Sequence, residues 1–380
     1  MSAETDGRPL AFRLHRQQGA ARLGEMTMRH GAVDTPCFMP VGTLASVKGL
    51  DTDDLAGLGA RMMLSNAYHL CLRPGQEIVR EMGGLHAFMG GHQGGILTDS
   101  GGFQVYSLAH ARKVTDDGVR FRSHVDGRPL ELTPESLVRL QEDLWPDVAM
   151  VLDECPPAEA PRAEVERAVA RTTAWARRCL LARQRHDLAW FGIVQGALFD
   201  DLRLRHADTL SSLPFDGFAI GGVSVGESPA DIARIVSLTA PALPAGSPRY
   251  LMGVGTPADL VRGVAAGVDL FDCVMPSRNA RNGSLFTWSG RLNIKASAHR
   301  TSERPLDADC RCPTCRRYSR AYLRHLFVAK ELSFYRLATV HNVAFYLDLM
   351  ATIRAQLKGG TFRPEPLLAR IDRVADREGA

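Results

Sequence analysis

Short apolar stretches recur along most of the chain, and each ends in polar or glycine-rich residues. Eight of them are rich in the aliphatic and aromatic residues that favour β-strands: 37–43, 61–68, 95–102, 148–155, 190–196, 217–224, 250–256 and 268–276. Nearly continuous apolar strands are typical of a parallel sheet covered on both faces. The pattern therefore predicts eight buried parallel strands.

Segments with helical periodicity separate these stretches. Three of them, at 133–144, 228–243 and 256–265, begin with Ser or Thr followed by Pro, which is a signature of a helix N-terminus. Alternation of strands and helices predicts an α/β fold. Eight such units favour a closed (β/α)8 TIM barrel over the alternative, an open sheet.

Three regions depart from this alternation. The first forty residues consist of short alternating runs separated by turns, which predicts N-terminal hairpins. Residues 113–132 contain Asp-Asp-Gly and Asp-Gly turns and predict a hairpin inserted after the third strand. Residues 277–336 form a long insert after the eighth strand, and a helix at about 338–357 is predicted to close the barrel. The predicted domains are therefore a barrel, 1–276 and 337–380, and an inserted subdomain, 277–336.

Composition and the distribution of apolar residues indicate a globular protein outside the membrane. The chain has 380 residues, of which 45% are hydrophobic and 23% are charged, and these values are typical of a globular protein. No apolar run is long enough to span a membrane, and the first residues lack an apolar signal region. We therefore expect a cytoplasmic protein that does not bind membranes.

Charge is unevenly distributed along the chain. Residues 278–336 contain 13 Lys and Arg against 4 Asp and Glu, although the formal net charge of the whole chain is only +4. One basic segment in an otherwise slightly acidic protein favours binding of a polyanion there. A basic face that is only solvated is the alternative reading, and charge alone leaves both open.

Polar residues follow the predicted strands, at the end where barrel enzymes carry their active sites. Asp99, Asp153 and Asp272 come from different strands, together with Gln195 and the Gly221-Gly222 pair. Converging carboxylates suit chemistry at an anomeric carbon, where one attacks and another moves protons. The alternative is that each aspartate only caps the helix that follows it.

Eight cysteines are present, and three of them fall close together as Cys310-Arg311-Cys312-Pro313-Thr314-Cys315. The C-x-C-x-x-C spacing is typical of a structural zinc site that needs a fourth Cys or His ligand. Spacing leaves three candidates for that ligand: His299, His325 and His341. The other five cysteines are expected to be buried thiols. Arginines and two tyrosines around the cluster suit contact with a phosphate backbone or with another subunit.

Taken together, these motifs resemble the bacterial tRNA-guanine transglycosylases of the queuine tRNA-ribosyltransferase family, over roughly residues 10–360. The resemblance rests on seven ordered motifs, which are TDSGGFQV (98–105), LDEC (152–155), GIVQG (192–196), AIGGVSVGE (219–227), YLMGVG (250–255), DLFDCVMPSRNARNG (269–283) and C-x-C-x-x-C (310–315). It implies a barrel with a zinc-bearing insert.

The resemblance also implies an activity. In queuosine biosynthesis these enzymes replace the wobble guanine, position 34, of the GUN-anticodon tRNAs for Asp, Asn, His and Tyr. The incoming base is 7-aminomethyl-7-deazaguanine, guanine itself also being a substrate, and the reaction is a double displacement through a covalent enzyme–tRNA intermediate. A non-catalytic tRNA-binding subunit and a barrel glycoside hydrolase are the alternatives, but the first should lack the acid pair, and the second would not explain the basic, cysteine-bearing insert.

Roles are implied residue by residue. Asp272 matches the nucleophile and Asp99 the general acid/base. Residues matching the base pocket are Asp153, Gln195, the Gly222 backbone, Ser100, Cys155 and Val223, with Phe103 and Met252 sandwiching the ring. Arg278 and Arg281 match contacts to the tRNA. The implied zinc ligands are Cys310, Cys312, Cys315 and His341, for one structural Zn2+ per subunit. A homodimer through the zinc region is also implied, with Tyr318, Tyr322 and His325 at the contact.

Overall fold

The computed structural model describes residues 7–102, 113–223 and 226–371. The chain begins with an antiparallel three-stranded sheet, as the N-terminal turns predict. Its strands are β1 (Leu10–Gln18), β2 (Ala21–Met28) and β3 (Gly31–Thr35), paired in the order β1-β2-β3.

Eight parallel strands then close into a barrel, and all eight coincide with the apolar stretches of the sequence. In chain order they are β4 (Cys37–Gly42), β5 (Met62–Ser65), β6 (Gly95–Thr98), β10 (Val148–Met150), β11 (Ala189–Val194), β12 (Gly217–Ile220), β13 (Arg249–Leu251) and β14 (Leu270–Cys273). The last strand pairs with the first, so that Asp272 lies opposite Met39. The predicted TIM barrel is confirmed.

Helices connect the strands on the outside of the barrel. They are α1 (Thr52–Gly57), α2 (Ala67–Leu72), α3 (Gln76–Glu81), α4 (Leu85–Phe88), α5 (Pro134–Leu144), α6 (Arg162–Ala182), α7 (Asp200–Ser211), α8 (Pro229–Ala242) and α9 (Pro257–Ala265). Thr133, Ser228 and Thr256 cap α5, α8 and α9 with their hydroxyl groups. Each cap is followed by a proline whose missing N–H is not needed in the first turn.

The insert after the third barrel strand is a three-stranded antiparallel sheet rather than a single hairpin. Its strands are β7 (Lys113–Val114), β8 (Val119–Arg122) and β9 (Pro129–Leu132). Both predicted turns, at Asp117-Gly118 and Asp126-Gly127, reverse the chain, and two reversals make three strands.

The second insert starts with α10 (Met275–Arg281) and continues through β15 (Ser284–Thr287), β16 (Gly290–Asn293), a 3-10 turn (Ser297–His299), α11 (Pro313–Arg317) and α12 (Arg320–Val328). The long helix α13 (Leu332–Gly359) follows, and α14 (Pro364–Ile371) ends the described chain. Helix α13 begins earlier than the predicted position 338. The chain turns at Lys330, whose φ is +58°, and Phe334 of the new helix packs against Phe327 of α12.

Candidate active site

The carboxyl ends of the barrel strands surround one cavity of about 530 Å3. Three carboxylates from three different strand ends face it, and each is more than nine-tenths buried: Asp99, Asp153 and Asp272. The cavity lining also includes seven further residues that the family resemblance implies for the site: Ser100, Cys155, Gln195, Gly222, Val223, Met252 and Arg278. The fold therefore brings ten of the predicted site residues to one place.

Asp272 lies on strand β14 and is held by two donors. The hydroxyl of Tyr250 donates a hydrogen bond of 2.6 Å to Oδ1, and the backbone N–H of Gly253 donates one of 2.7 Å to the same oxygen. Burial raises the pKa of Asp272, and both hydrogen bonds oppose that rise. Oδ2 receives neither bond, so one oxygen of an oriented carboxylate stays available for a ligand.

Asp99 follows strand β6 and contacts the start of helix α2. The N–H of Ala67 donates a hydrogen bond of 3.0 Å to Oδ1, and the side-chain amide of Asn66 donates to Oδ2. Gln141 of α5 fixes the Asp99 carbonyl at 2.8 Å. Burial, together with the nearby charge of Asp272, raises the pKa of Asp99 to about 7. A carboxyl group with this pKa can both give and accept a proton near neutral pH.

Asp153 is oriented by two side chains that reach it from neighbouring strand ends. Ser100 Oγ donates to its Oδ1 at 2.6 Å, and Gln195 Nε2 donates to its Oδ2 at 2.7 Å. Burial raises the pKa of Asp153, and these hydrogen bonds oppose that rise. The carboxylate is thus fixed in the cavity wall as an acceptor.

Glycines let the backbone approach these polar groups closely. A Cβ at Gly222, where φ is +60°, would lie 2.4 Å from Oε1 of Gln195, and a Cβ at Gly102 would lie 2.8 Å from Oδ1 of Asp153. Side chains at either position would displace the oriented amide or carboxylate. The glycine pair after strand β12 therefore forms a flat backbone wall beside Gln195.

Both predicted tRNA contacts lie on α10, but they differ in position. Arg278 is exposed at the cavity rim, whereas Arg281 donates a 3.0 Å hydrogen bond to the Ser277 carbonyl of its own helix, and within the described residues it does not line the cavity. Met252 lines the cavity while partly exposed. The other ring-sandwiching residue of the prediction, Phe103, lies outside the described residues.

A second group of side chains could hold a metal ion, and it is the predicted one. The ligand atoms of Cys310, Cys312, Cys315 and His341 all lie within 4.8 Å of one another. His341 Nδ1 is 3.3 Å from Cys315 Sγ, while its Nε2 lies 2.8 Å from the Phe286 carbonyl. A proton on Nε2 therefore leaves Nδ1 as a lone-pair donor facing three sulfurs, which is the arrangement a zinc site needs.

The packing of helix α13 brings one of the three candidate histidines to the cysteines. It carries His341, fully buried, against the Cys312–Cys315 turn. The other two candidates left open by the spacing, His299 and His325, do not belong to this cluster within the described chain.

One further histidine and carboxylate cluster lies at the opposite end of the barrel. His30 Nδ1 is 2.8 Å from Asp147 Oδ1, and His86 Nε2 is 3.1 Å from Oδ2. The N–H groups of His30 and Ile96 also donate to these two oxygens. A carboxylate already surrounded by donors is suited to holding the chain together rather than to binding a metal.

Two contacts of the site have no local signal in sequence. Tyr250 reads as an ordinary core residue of strand β13, and Asn66 as one polar strand end among several. Arg203, a third contact, does carry a signal in the sequence. It lies on the buried stripe of α7 with Leu202, His206 and Leu210, and a charged residue on such a stripe needs a buried partner.

A closed parallel barrel with buried carboxylates at the carboxyl ends of its strands is the architecture of a barrel enzyme. The sequence model of one enzyme family, described as queuine tRNA-ribosyltransferase, matches residues 17–365. The chain belongs to this family.

Individual relatives agree with the family match. A queuine tRNA-ribosyltransferase of Solidesulfovibrio magneticus is 52% identical over 93% of this chain and 95% of its own. Those of Nitratidesulfovibrio vulgaris and Aromatoleum aromaticum are 51% and 50% identical, over 93% and 96% of this chain and 95% and 99% of theirs. In the described part of the chain, no helix combines the length and the apolar character that crossing a membrane requires.

Proposed function

We propose that this protein exchanges the wobble guanine of GUN-anticodon tRNAs for 7-aminomethyl-7-deazaguanine in queuosine biosynthesis. Membership of the queuine tRNA-ribosyltransferase family supports the reaction class. The observation that carries the proposal is the cavity in which Asp272 and Asp99, both buried, face one ligand site. A base drawn out of the anticodon loop has to enter such a cavity before its glycosidic bond can react.

Asp272 is the nucleophile of the proposed reaction. Its carboxylate attacks C1′ of the ribose, a C–O bond forms, and the electron pair of the breaking C1′–N9 bond leaves with guanine. A second displacement by the incoming base releases Asp272 and retains the configuration at C1′. The hydrogen bonds from Tyr250 and Gly253 to Oδ1 support this role, because they orient the attacking group.

Asp99 is the proton carrier. The incoming base is neutral and must lose the N9 proton when its new bond forms, and Asp99 accepts that proton. The pKa of about 7 supports this role, since catalytic acids and bases work best with a pKa near the operating pH.

The base is recognised along its polar edge. Guanine presents the donors N1–H and N2–H beside the acceptor O6. In the proposed complex Asp153 accepts from the donors, Gly222 N–H faces O6 beside Gln195, and Met252 covers the ring. Ser100, Cys155 and Val223 complete the pocket, with Val223 nearest the aminomethyl substituent, and Phe103 is proposed for the second face of the ring.

The basic subdomain, residues 277–336, is proposed to hold the anticodon arm. Arg278 at the cavity rim and Arg281 on the same helix would contact phosphates next to the extracted nucleotide. We further propose that the subdomain holds one structural Zn2+ through Cys310, Cys312, Cys315 and His341, without a role in the chemical steps.

A homodimer through the same region is part of the proposal. Tyr318 and Tyr322 stack at 5.5 Å with Tyr322 45% exposed, and Val328 and Leu332 nearby are 60% and 82% exposed. His325 lies beside Tyr322. An exposed group of apolar and aromatic side chains supports a protein contact.

The cytoplasm, where unmodified tRNA is found, is the proposed location.

Incorporation of radiolabelled guanine into unmodified tRNA(Tyr) tests the proposal. We expect incorporation with this tRNA and none when its position 34 is changed from guanine to adenine. Asp272→Asn serves as the inactive control. Lack of incorporation by the pure, folded protein would refute the proposal. Binding of the tRNA without incorporation would instead indicate a non-catalytic tRNA-binding protein.

A further inference from the structure

Arg203 of helix α7 lies directly behind the glycine pair and is fully buried. Its guanidinium donates to four backbone carbonyls: Nε lies 2.7 Å from Ala197 O, Nη2 lies 2.7 Å from Gly222 O, and Nη1 lies 2.9 Å from Gly221 O and 3.5 Å from Val194 O. Gly196 makes room for it, since a Cβ there would lie 2.6 Å from Arg203 Cγ. The planar guanidinium thus holds the Gly221 and Gly222 carbonyls of the cavity wall in fixed positions.

This position is costly for a charged group. Within residues 7–102, 113–223 and 226–371, no carboxylate lies within ion-pair distance of Arg203, so carbonyl dipoles supply its direct contacts. Burial lowers the pKa of Arg203 to about 10, which still leaves it charged at neutral pH. A buried charge without an ion-pair partner is rare, because its desolvation is expensive. An aliphatic side chain would fill the space without that cost, so the charge itself needs an explanation.

The two carbonyls belong to the peptide groups whose N–H donors are those of Gly222 and Val223. Both residues line the cavity, and neither N–H donates to a group of the described chain. A cation bound to the oxygen of a peptide group withdraws electrons from its nitrogen and makes the N–H a stronger donor. Arg203 therefore acts from behind on two N–H donors of the base pocket that have no acceptor within the described residues.

We propose that Arg203 is a positioning residue that fixes and polarises the Gly222 N–H toward the 6-oxo group of the base. This inference rests on the proposed function. When the C1′–N9 bond breaks, its electron pair is delocalised over the purine, and part of the negative charge reaches O6. A fixed, polarised donor at O6 stabilises that charge as an oxyanion hole does. Guanine can then leave before it is protonated.

A neighbouring residue of the same helix fixes Gln195. The backbone N–H of Gln195 donates to His206 Nδ1 at 2.9 Å. Burial lowers the pKa of His206 to about 4, so it is neutral and can accept this bond. Helix α7 therefore holds both strand ends that face the 6-oxo side of the pocket.

Two free bases distinguish this role from simple support of the fold. Guanine has the 6-oxo group, whereas 2-aminopurine lacks it and keeps the 2-amino group. Dissociation constants of both are measured by calorimetry for the wild type, Arg203→Met and Arg203→Lys. We expect Arg203→Met to weaken guanine binding roughly tenfold and 2-aminopurine binding less than twofold. Arg203→Lys, which keeps the charge without the fork, should lie in between. Arg205→Lys, an exposed change on the same helix, should alter neither.

Three outcomes would overturn the inference. If Arg203→Met or Arg203→Lys weakened the binding of guanine and of 2-aminopurine equally, Arg203 would only support the fold. Wild-type protein that binds 2-aminopurine as tightly as guanine would mean that the 6-oxo group is not recognised, and this measurement needs no folded variant. Unchanged guanine binding in both variants would mean that Arg203 has no role in binding the base. Failure of the proposed function is separate, because it appears as absent guanine incorporation by the wild type.

Discussion

The hydroxyl of Tyr250 and Oδ1 of Asp272 are 2.6 Å apart, and the tyrosine is the donor. The pKa of Tyr250 lies well above its usual value because of burial and the charge of Asp272, so the phenol keeps its proton. The two residues lie on the neighbouring strands β13 and β14. The proposed nucleophile is therefore oriented by a side chain of the neighbouring barrel strand, together with the Gly253 N–H that follows that strand.

Tyr250→Phe should slow the formation of the enzyme–tRNA adduct about tenfold at pH 7. Loss of one hydrogen bond to a buried carboxylate costs roughly 1.5 kcal/mol and allows the group to rotate. The pKa of Asp272 should also rise, which would move the pH–rate profile of adduct formation to higher pH. Single-turnover adduct formation on denaturing gels measures both effects. Tyr346→Phe, which removes a buried hydroxyl bonded to the Gly255 carbonyl, is the matched control and should leave the rate unchanged.

Asp99→Asn and Asp272→Asn should affect different half-reactions. Asp272→Asn should abolish the denaturation-resistant adduct while tRNA binding survives. Asp99→Asn should still form the adduct but should slow the capture of the incoming base roughly a hundredfold or more, the usual effect of losing a general base. Isolated adduct chased with labelled guanine measures the capture step. Equal loss of adduct formation in the two variants would contradict this division of roles.

The capture step should depend on pH through Asp99. The pKa of this carboxyl is raised to about 7, so it is mostly protonated below pH 7 and mostly ionised above. Because capture needs the ionised form, its rate should rise with pH and level off at or below about pH 7, since the adduct removes the charge of Asp272 that helps to raise this pKa. Asp99→Asn should remove this dependence. A capture rate that falls as pH increases from 6 to 8 would show that another group takes the proton.

Gly222→Ala should weaken guanine binding at least about tenfold. The new methyl group would lie 2.4 Å from Oε1 of Gln195, at a backbone φ of +60°, so both the amide and the backbone wall must shift. The Michaelis constant for guanine measures the effect. Gly246→Ala is the control, since a Cβ there meets nothing within 4 Å. An unchanged Michaelis constant in Gly222→Ala would exclude close contact between the base and this wall.

Cys315→Ser should remove one equivalent of zinc per chain and lower the melting temperature by roughly 5 °C or more. Guanine binding should stay within about twofold, because none of the four ligands lines the cavity. Metal analysis of the purified protein and thermal melting measure the two effects. Cys71→Ser is the control and should keep the metal. A full equivalent of zinc in Cys315→Ser would mean that the ligand set is different.

The strands were predictable because apolar residues of buried parallel strands form continuous runs, and all eight runs became barrel strands. Helix starts were equally clear, since Thr133, Ser228 and Thr256 carry their capping signal locally. The carboxylates Asp99, Asp153 and Asp272 were predictable as a group, because the barrel brings every strand end to one face.

Contacts between distant residues were not predictable in this way. Asn66 binds Asp99, Tyr250 binds Asp272, and Arg203 binds Gly222, and no local pattern relates the members of each pair. The fourth member of the metal cluster was left open by spacing for the same reason. His341 is brought to the cysteines by the packing of α13, and the family resemblance, rather than the spacing, pointed to it.

The metal cluster divides its ligands between two parts of the chain. Three cysteines lie in the basic subdomain, and His341 lies in the middle of helix α13, which packs against the barrel. During synthesis the cysteines leave the ribosome before the histidine, and the helix must dock before all four side chains can meet. A metal bound here would therefore be acquired late. It would tie the basic subdomain to helix α13, whose Tyr346 packs against Phe38 of barrel strand β4.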